Sequence, residues 1–381
     1  MTTVYLDYAA ATPLDRSVLN AMMPYLTTEF YNPSATYSGA RTAHQALGQA
    51  RERVARTLGA KPSEIIFTAG GTEANNLAIH GIMRLYPGCN IIVSAVEHSA
   101  VTKPAAQYDC RLAPVSSDGR LDLTKFSNFV DDKTIFISCM SANNEIGTVQ
   151  PIRELAYRCE EIRAERRQAG NKLPLYLHVD ACQAPNYLDI QVSRLGADLI
   201  SFNGSKIYGP KQTGALFVRG GLILKPLIDG GGQERGLRSG TENLAGVVGF
   251  AAALELAAKL RQTESDRLQK LQDHWIERIK LELPDAIING SLKNRLPNNI
   301  HLAIPGADNE RLLFALDDLG IMAAAGSACS ASSQTPSTVL QAIGLDDKTA
   351  QSSLRFTMGR QTTLEEVDQA IDGLKQVIAR N

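Results

Sequence analysis

The chain has 381 residues, 44% hydrophobic and 21% charged, the make-up of a folded globular protein with a sizeable core; extensive disorder is excluded. Lysine and arginine (39) nearly balance aspartate and glutamate (40), and a formal net charge of -1 offers nucleic acid no overall attraction. Cys89, Cys110, Cys139, Cys159, Cys182 and Cys329 form no CxxC pair and no Cys/His cluster at metal-ligand spacing, which argues against a bound metal and for free thiols in a reducing compartment.

The N-terminal stretch Met1-Thr-Thr-Val-Tyr-Leu-Asp-Tyr8 has neither the basic n-region nor the long apolar h-region of a signal peptide, so a cytoplasmic location is expected. Ala43, Leu47, Ala50, Val54 and Leu58 recur at spacings of three and four, which predicts an amphipathic helix over 41–58 that Gly59 ends. Short apolar runs then follow at 65–68, 91–93, 135–138, 175–179, 199–202 and 215–218, separated mostly by helix-like or loop segments. Runs of this kind are what strands buried on both faces show, and their alternation with helices predicts a doubly wound α/β domain with a largely parallel sheet. The basic stretch Arg163-Ala-Glu-Arg-Arg-Gln168 follows Glu160 and Glu161 and reads as a solvated helix face.

From Asn243 to Leu283 the pattern is long and helical, interrupted by the polar Arg261-Gln-Thr-Glu-Ser-Asp266, the expected domain junction. Its most apolar part, Leu244 to Leu254, is too short to span a bilayer. Thr363 and Glu366 can form a capping box for a last helix with Leu364, Val367, Ile371, Leu374 and Ile378 on one face. The expected division is a large domain over 14–255 and a smaller α+β domain made of 1–13 and 256–381.

Three segments carry chemistry. Ala69-Gly-Gly-Thr-Glu73 follows an apolar run and reads as a tight turn into a helix, where Gly71, the Thr72 hydroxyl and free N–H groups can cradle a phosphate; an ordinary turn and N-cap is an equally good reading. Asp180 and Lys206 each lie just past a strand-like run, at the edge where open α/β sheets bind ligands. A lysine amine able to form a Schiff base and a carboxylate able to hold a pyridinium nitrogen protonated are the groups that pyridoxal phosphate chemistry requires. His98 follows another run and can present a ring to the same edge, whereas His178 sits inside a run and reads as structural. Cys329 lies among small residues from Ala323 to Ser333 that leave its thiol unshielded, which suggests sulfur chemistry.

Asn32-Pro-Ser34, Gly71-Thr-Glu-Ala-Asn-Asn76, Glu97-His98, Asn143-Asn-Glu-Ile-Gly147, His178-Val-Asp-Ala-Cys-Gln183, Ser205-Lys-Ile-Tyr-Gly-Pro-Lys211, Arg238-Ser-Gly-Thr-Glu-Asn243, Gly326-Ser-Ala-Cys329 and Arg355-Phe-Thr-Met-Gly-Arg360 occur in that order. The series resembles the cysteine desulfurases of the nitrogen-fixation and iron-sulfur-assembly type, which are fold type I pyridoxal-phosphate enzymes of the class V aminotransferase superfamily. The resemblance runs from about residue 4 to the end. It implies a large domain with a mostly parallel seven-stranded sheet, a smaller α+β domain carrying the cysteine loop, and a homodimer with shared sites.

By the same resemblance, Lys206 bonds the cofactor as a Schiff base, Asp180 pairs with its pyridine nitrogen, Gln183 faces its phenolic oxygen and His98 stacks on the ring. Gly71 and Thr72 would hold the phosphate within the chain, with Asn203 and Ser205 beside them, while Thr241 would reach the phosphate of the neighbouring subunit. Asn144 and Arg355 would face the carboxylate of L-cysteine. Cys329 would take the substrate sulfur as a persulfide and hand it to an acceptor protein for iron-sulfur assembly or thiolation. The chain departs from the usual pattern at Ser205 (commonly histidine), Asn203 (commonly serine), Tyr37 (frequently histidine) and Gly39-Ala40 (usually Phe-Gly), and it ends at Asn381 without the tail that helps some relatives dock an iron-sulfur scaffold. A selenocysteine lyase, another reaction on the same fold, and a non-catalytic cofactor-binding scaffold are the rival readings.

Overall fold

The computed structural model describes residues 3–326 and 337–380; Cys329 lies outside them. After a short strand β1 (Val4–Tyr5), seven strands build one sheet: β2 (Ile65–Thr68), β3 (Asn90–Ser94), β4 (Asp109–Ala113), β5 (Thr134–Ser138), β6 (Tyr176–Asp180), β7 (Leu199–Asn203) and β8 (Gly214–Val218). Their order across the sheet is β2-β8-β7-β6-β5-β3-β4. All neighbours run parallel except β8, which is antiparallel to both β2 and β7. The interior strands β3 and β5 are buried along their whole length, as helices on both faces require.

The helix Ser38–Leu58 ends at Gly59, whose left-handed φ of 67° lets the backbone close the last turn. Beyond the large sheet, β9 (Ile287–Ile288), β10 (Asn299–Ala303) and β12 (Ser353–Thr357) form an antiparallel sheet of order β12-β10-β9, while β11 (Ile321–Met322) pairs in parallel with β1. A separate core fills this region, with Trp275 against Phe356 (ring centroids 5.1 Å apart) and the buried face of the helix Leu364–Ile378. Thr363 and Glu366 make the expected capping box at the start of that helix.

The polar stretch 261–266 does not break the chain. It lies inside one helix, Leu244–Glu282, whose residues from Leu244 to Ala257 pack into the large-sheet core and whose residues from Leu268 to Ile279 pack into the small-sheet core. No residue between Ala257 and Leu268 is buried, so a polar sequence is tolerated where the helix crosses from one core to the other. Among the described residues no helix is long and apolar enough to cross a membrane.

Candidate active site

The carboxyl ends of β3, β5, β6 and β7 open on one edge of the large sheet, and each continues into a loop bearing polar side chains. These loops, the start of the helix Gly71–Met83, the segment Ala9–Ala10 and Arg355 of β12 enclose a cavity of about 200 Å³. Gly71, Thr72, His98, Asn144, Asp180, Gln183, Asn203, Lys206 and Arg355 all line it.

At one end, Gly70 adopts φ 136° and turns the chain from β2 into the helix at Gly71. The first intrahelical bond is Ala74 N to Gly70 O (3.1 Å), which leaves the N–H groups of Gly71, Thr72 and Glu73 without an intrahelical acceptor, an arrangement that binds anions. A Cβ at position 71 would lie 2.4 Å from Cys182 Sγ, so only glycine lets the loop after β6 approach this close. Asn203 Oδ1 accepts both the backbone N–H (3.1 Å) and the hydroxyl (3.0 Å) of Ser205. That fixes the amide orientation and leaves Asn203 Nδ2 without an acceptor among the described residues. Ser205 thus shapes its neighbour and is not itself part of the cavity wall.

Asp180 at the end of β6 accepts Cys182 N–H on Oδ1 (2.9 Å) and Asn75 Nδ2 on Oδ2 (2.7 Å). His98 caps the helix Ser99–Ala105, its Nδ1 accepting Ala100 N–H at 3.0 Å, so that Nε2 carries the proton of the neutral ring. Burial, reinforced by Lys206, lowers the His98 pKa although Asp180 opposes the shift. Lys206 Nζ donates to the carbonyls of Ala9 (2.8 Å) and Ala10 (2.6 Å), and Gln183 Nε2 also donates to Ala9 O (3.0 Å).

At the other end, Arg355 is almost wholly buried; its guanidinium donates to Asp7 Oδ1 (2.7 Å) and to the carbonyl of Asn144 (3.1 Å). Its Nε is buried without a partner among the described residues, an unmet donor beside the cavity. The donor set therefore suits pyridoxal phosphate: a helix N-terminus and an amide N–H for the phosphate, a lysine amine for the aldehyde, a carboxylate for the ring nitrogen and a guanidinium for an amino-acid carboxylate.

The family described as aminotransferase class-V matches residues 4–370. The chain belongs to that family, and within it to the cysteine desulfurases. The cysteine desulfurase IscS of Dictyoglomus turgidum is 41% identical over 384 residues, covering 99% of this chain and 95% of that protein. The human cysteine desulfurase is 39% identical, covering 99% of this chain and 82% of that protein. Among solved structures, a NifS-like protein superposes with a TM-score of 0.90 at 31% identity over the whole of both chains. A protein named SspA, solved in complex with cysteine, gives 0.79 at 35% identity over 94% of this chain and 99% of that one.

Of the residues expected at the site, Ser205 and Thr241 do not line this cavity. Thr241 is exposed and does not line the cavity. Its loop is nevertheless pinned to the site: Arg238 pairs with Glu73 at 3.0 Å, and Glu234 grips Arg51 through two hydrogen bonds (2.6 and 2.7 Å) while accepting Phe67 N–H of β2. Cys329 lies outside the described residues. Conversely, sequence reasoning assigns no role to Asp7, Asn75 or the Cys182 thiol, all of which the fold brings to the cavity or its charged groups. The run of small residues Ala9-Ala-Ala11, where the backbone carbonyls of Ala9 and Ala10 meet Lys206, is the one signal that could have drawn attention to the N-terminal segment.

Proposed function

We propose that this cysteine desulfurase takes the sulfur atom from L-cysteine, releases L-alanine and retains the sulfur as a persulfide on Cys329. The balance is closed: the Cβ–S bond of the substrate breaks, an S–S bond to Cys329 forms, and the thiol proton supplied by Cys329 ends on alanine. Pyridoxal phosphate, when bound, supplies the electron sink that lets the Cα proton leave and the Cβ–S bond weaken. Gly71, Thr72 and Asn203 would hold its phosphate, with Ser205 fixing the Asn203 amide. Asp180 would hold its ring nitrogen protonated, and Gln183 would face its phenolic oxygen.

The other steps belong to side chains of this chain. Lys206 would hold the cofactor at rest and would serve as the base that moves the Cα proton. His98 would face the ring, itself neutral at pH 7 because burial disfavours its charged form. Arg355 and Asn144 orient the substrate carboxylate, and Cys329 as thiolate attacks the substrate sulfur. The observation that carries this reading is the convergence of lysine, aspartate, histidine and arginine on one cavity at a helix N-terminus.

The same reading includes a large domain over 14–255, a small one from 1–13 and 256–381, and a cytoplasmic homodimer in which Thr241 serves the neighbouring site. It also includes an acceptor protein that receives the sulfur for iron-sulfur assembly or thiolation. Mass spectrometry of the purified protein after L-cysteine should show one added sulfur on the Cys329 peptide. No added sulfur there, with alanine still produced, would remove Cys329 from its role.

A further inference from the structure

Two polar atoms next to Asp180 are buried without any hydrogen-bond partner among the described residues: Asn75 Oδ1 and Glu97 Oε2. Their residues are 1% and 3% exposed. Such atoms are rare in folded proteins because each forfeits its hydration, so their clustering calls for a cause. Asn75 reaches Asp180 directly, donating Nδ2 to Oδ2 at 2.7 Å. Turned over, the amide would set its own carbonyl oxygen against the carboxylate, two acceptors with no proton between them. The observed orientation therefore makes the Asn75 amide a donor to Asp180, whose two oxygens both accept.

Glu97, one residue before His98, accepts Met140 N–H on Oε1 at 2.5 Å and has no donor for Oε2. An ionised carboxylate buried in that state would be strongly disfavoured. Burial first, and the charge of Asp180 second, push the Glu97 carboxyl well above its usual range. Asn75 also lies three residues after Thr72 on the same helix, hence on the same face. One rigid element thus offers its N-terminus to an anion and its next turn to the Asp180 carboxylate.

We propose that Asn75 is a positioning residue for the cofactor's ring nitrogen: it holds the Asp180 carboxylate in one orientation while Glu97 keeps its proton, so that a single carboxylate faces the ring. This inference rests on the cofactor reading above. Cys182 N–H supplies the second fixed donor to Asp180, so loss of Asn75 frees one carboxylate oxygen and leaves the other held.

The test reconstitutes apo-protein with pyridoxal phosphate carrying a 15N label in the ring and reads the nitrogen chemical shift and the dissociation constant. Asn75→Leu keeps the bulk without the donor, and Asn75→Ser keeps a shorter donor. Wild type should show a protonated ring nitrogen. Asn75→Leu should move the shift toward the unprotonated value and weaken cofactor binding by about tenfold or more, with Asn75→Ser in between. Glu97→Gln, neutral at every pH, should keep the wild-type shift. Thermal unfolding of the apo-proteins separates misfolding from the effect sought, and if Asn75→Leu does not fold, the intermediate shift of Asn75→Ser carries the test. A wild-type shift in Asn75→Leu with affinity within about twofold would overturn the role of Asn75. An unprotonated ring in Glu97→Gln would overturn that of Glu97. Failure of wild type to bind the cofactor, or an unprotonated ring in wild type, would instead bring down the cofactor reading itself, and the inference with it.

Discussion

Asp180 and Arg355 line the same cavity, one carried by the large sheet and the other by the small sheet, and they are held by partners of different kinds. Asp180 receives its hydrogen bonds from two neutral donors, a backbone N–H and the Asn75 amide, neither of which brings an opposing charge. Arg355 is gripped by the Asp7 carboxylate and a backbone carbonyl, so its positive charge is largely cancelled before any ligand arrives. On the proposed function, the end whose partners bring no opposing charge serves a cofactor that must stay through every turnover. The end that is nearly neutral serves a substrate whose product must leave, and selects it by the placement of N–H groups more than by net attraction.

The largest effects should come from the groups that touch reacting atoms. Lys206→Ala should abolish the cofactor absorption band and lower the rate of alanine production by roughly a thousandfold or more. An unchanged spectrum would move the cofactor bond to another residue. Cys329→Ser should keep the cofactor and its spectral response to L-cysteine yet yield no persulfide, whereas Cys182→Ser, in the cavity wall, should keep most of the activity. If the two cysteine variants behave alike, the distinction between a sulfur-carrying thiol and a packing thiol is wrong.

Local pattern made some of this legible and left the rest out of reach. The strand β6 and the residue after β7's turn are readable because short apolar runs, Leu175 to Val179 and Leu199 to Phe202, precede Asp180 and Lys206. The strand β4 escapes the same reasoning because its edge of the sheet is uncovered: Asp109-Cys-Arg-Leu-Ala113 is mostly exposed or half-buried and lacks a continuous apolar run, whereas β2 at the other edge is buried throughout. The pairs that hold the two ends of the cavity are invisible for a different reason. Asn75 meets Asp180 across 105 residues and Arg355 meets Asp7 across 348, so no periodicity or spacing rule links them. His178 reads correctly as structural, since its ring nitrogens bond the hydroxyls of Ser138 and Ser201 on the two neighbouring strands.

A smaller effect should separate charge from geometry at Arg355. Arg355→Ala should raise KM for L-cysteine by about ten- to a hundredfold, the loss expected for charged hydrogen bonds, with little change in cofactor retention. Arg355→Lys should rescue poorly, because a point charge cannot replace a planar fork. Asp7→Asn keeps an oxygen to accept the guanidinium N–H but removes the opposing charge, so KM should fall by a few-fold, about 1 kcal/mol or less. A KM that rises as far as in Arg355→Ala would show that Asp7 serves mainly to build the site and not to neutralise it.

The gentlest comparison uses one buried histidine in each sheet and reads stability alone. Burial lowers the pKa of His178 in β6 to about 4, against the opposing charge of Asp180. Burial, then Arg295 and Arg355, lower that of His301 in β10 to about 3. Both folded values lie below the unfolded value near 6.5, so the unfolded chain binds more protons as the pH drops. The stability each neutral ring contributes is complete above about pH 6.5 and is lost as the pH falls through the folded value, on the order of 3 kcal/mol for His178 by pH 4. The two should differ at the acid end. Protonated His178 can keep both hydrogen bonds because a serine hydroxyl can turn to accept, whereas His301 Nδ1 faces the Asn289 amide and its Nε2 has no partner among the described residues. Denaturant midpoints measured from pH 7 to pH 3 should therefore lose their dependence below about pH 4 for the His178 contribution and keep falling for that of His301, as isolated by His178→Gln and His301→Gln. Identical pH profiles for the two variants would mean that the hydrogen-bond partners of a buried histidine matter less here than its depth.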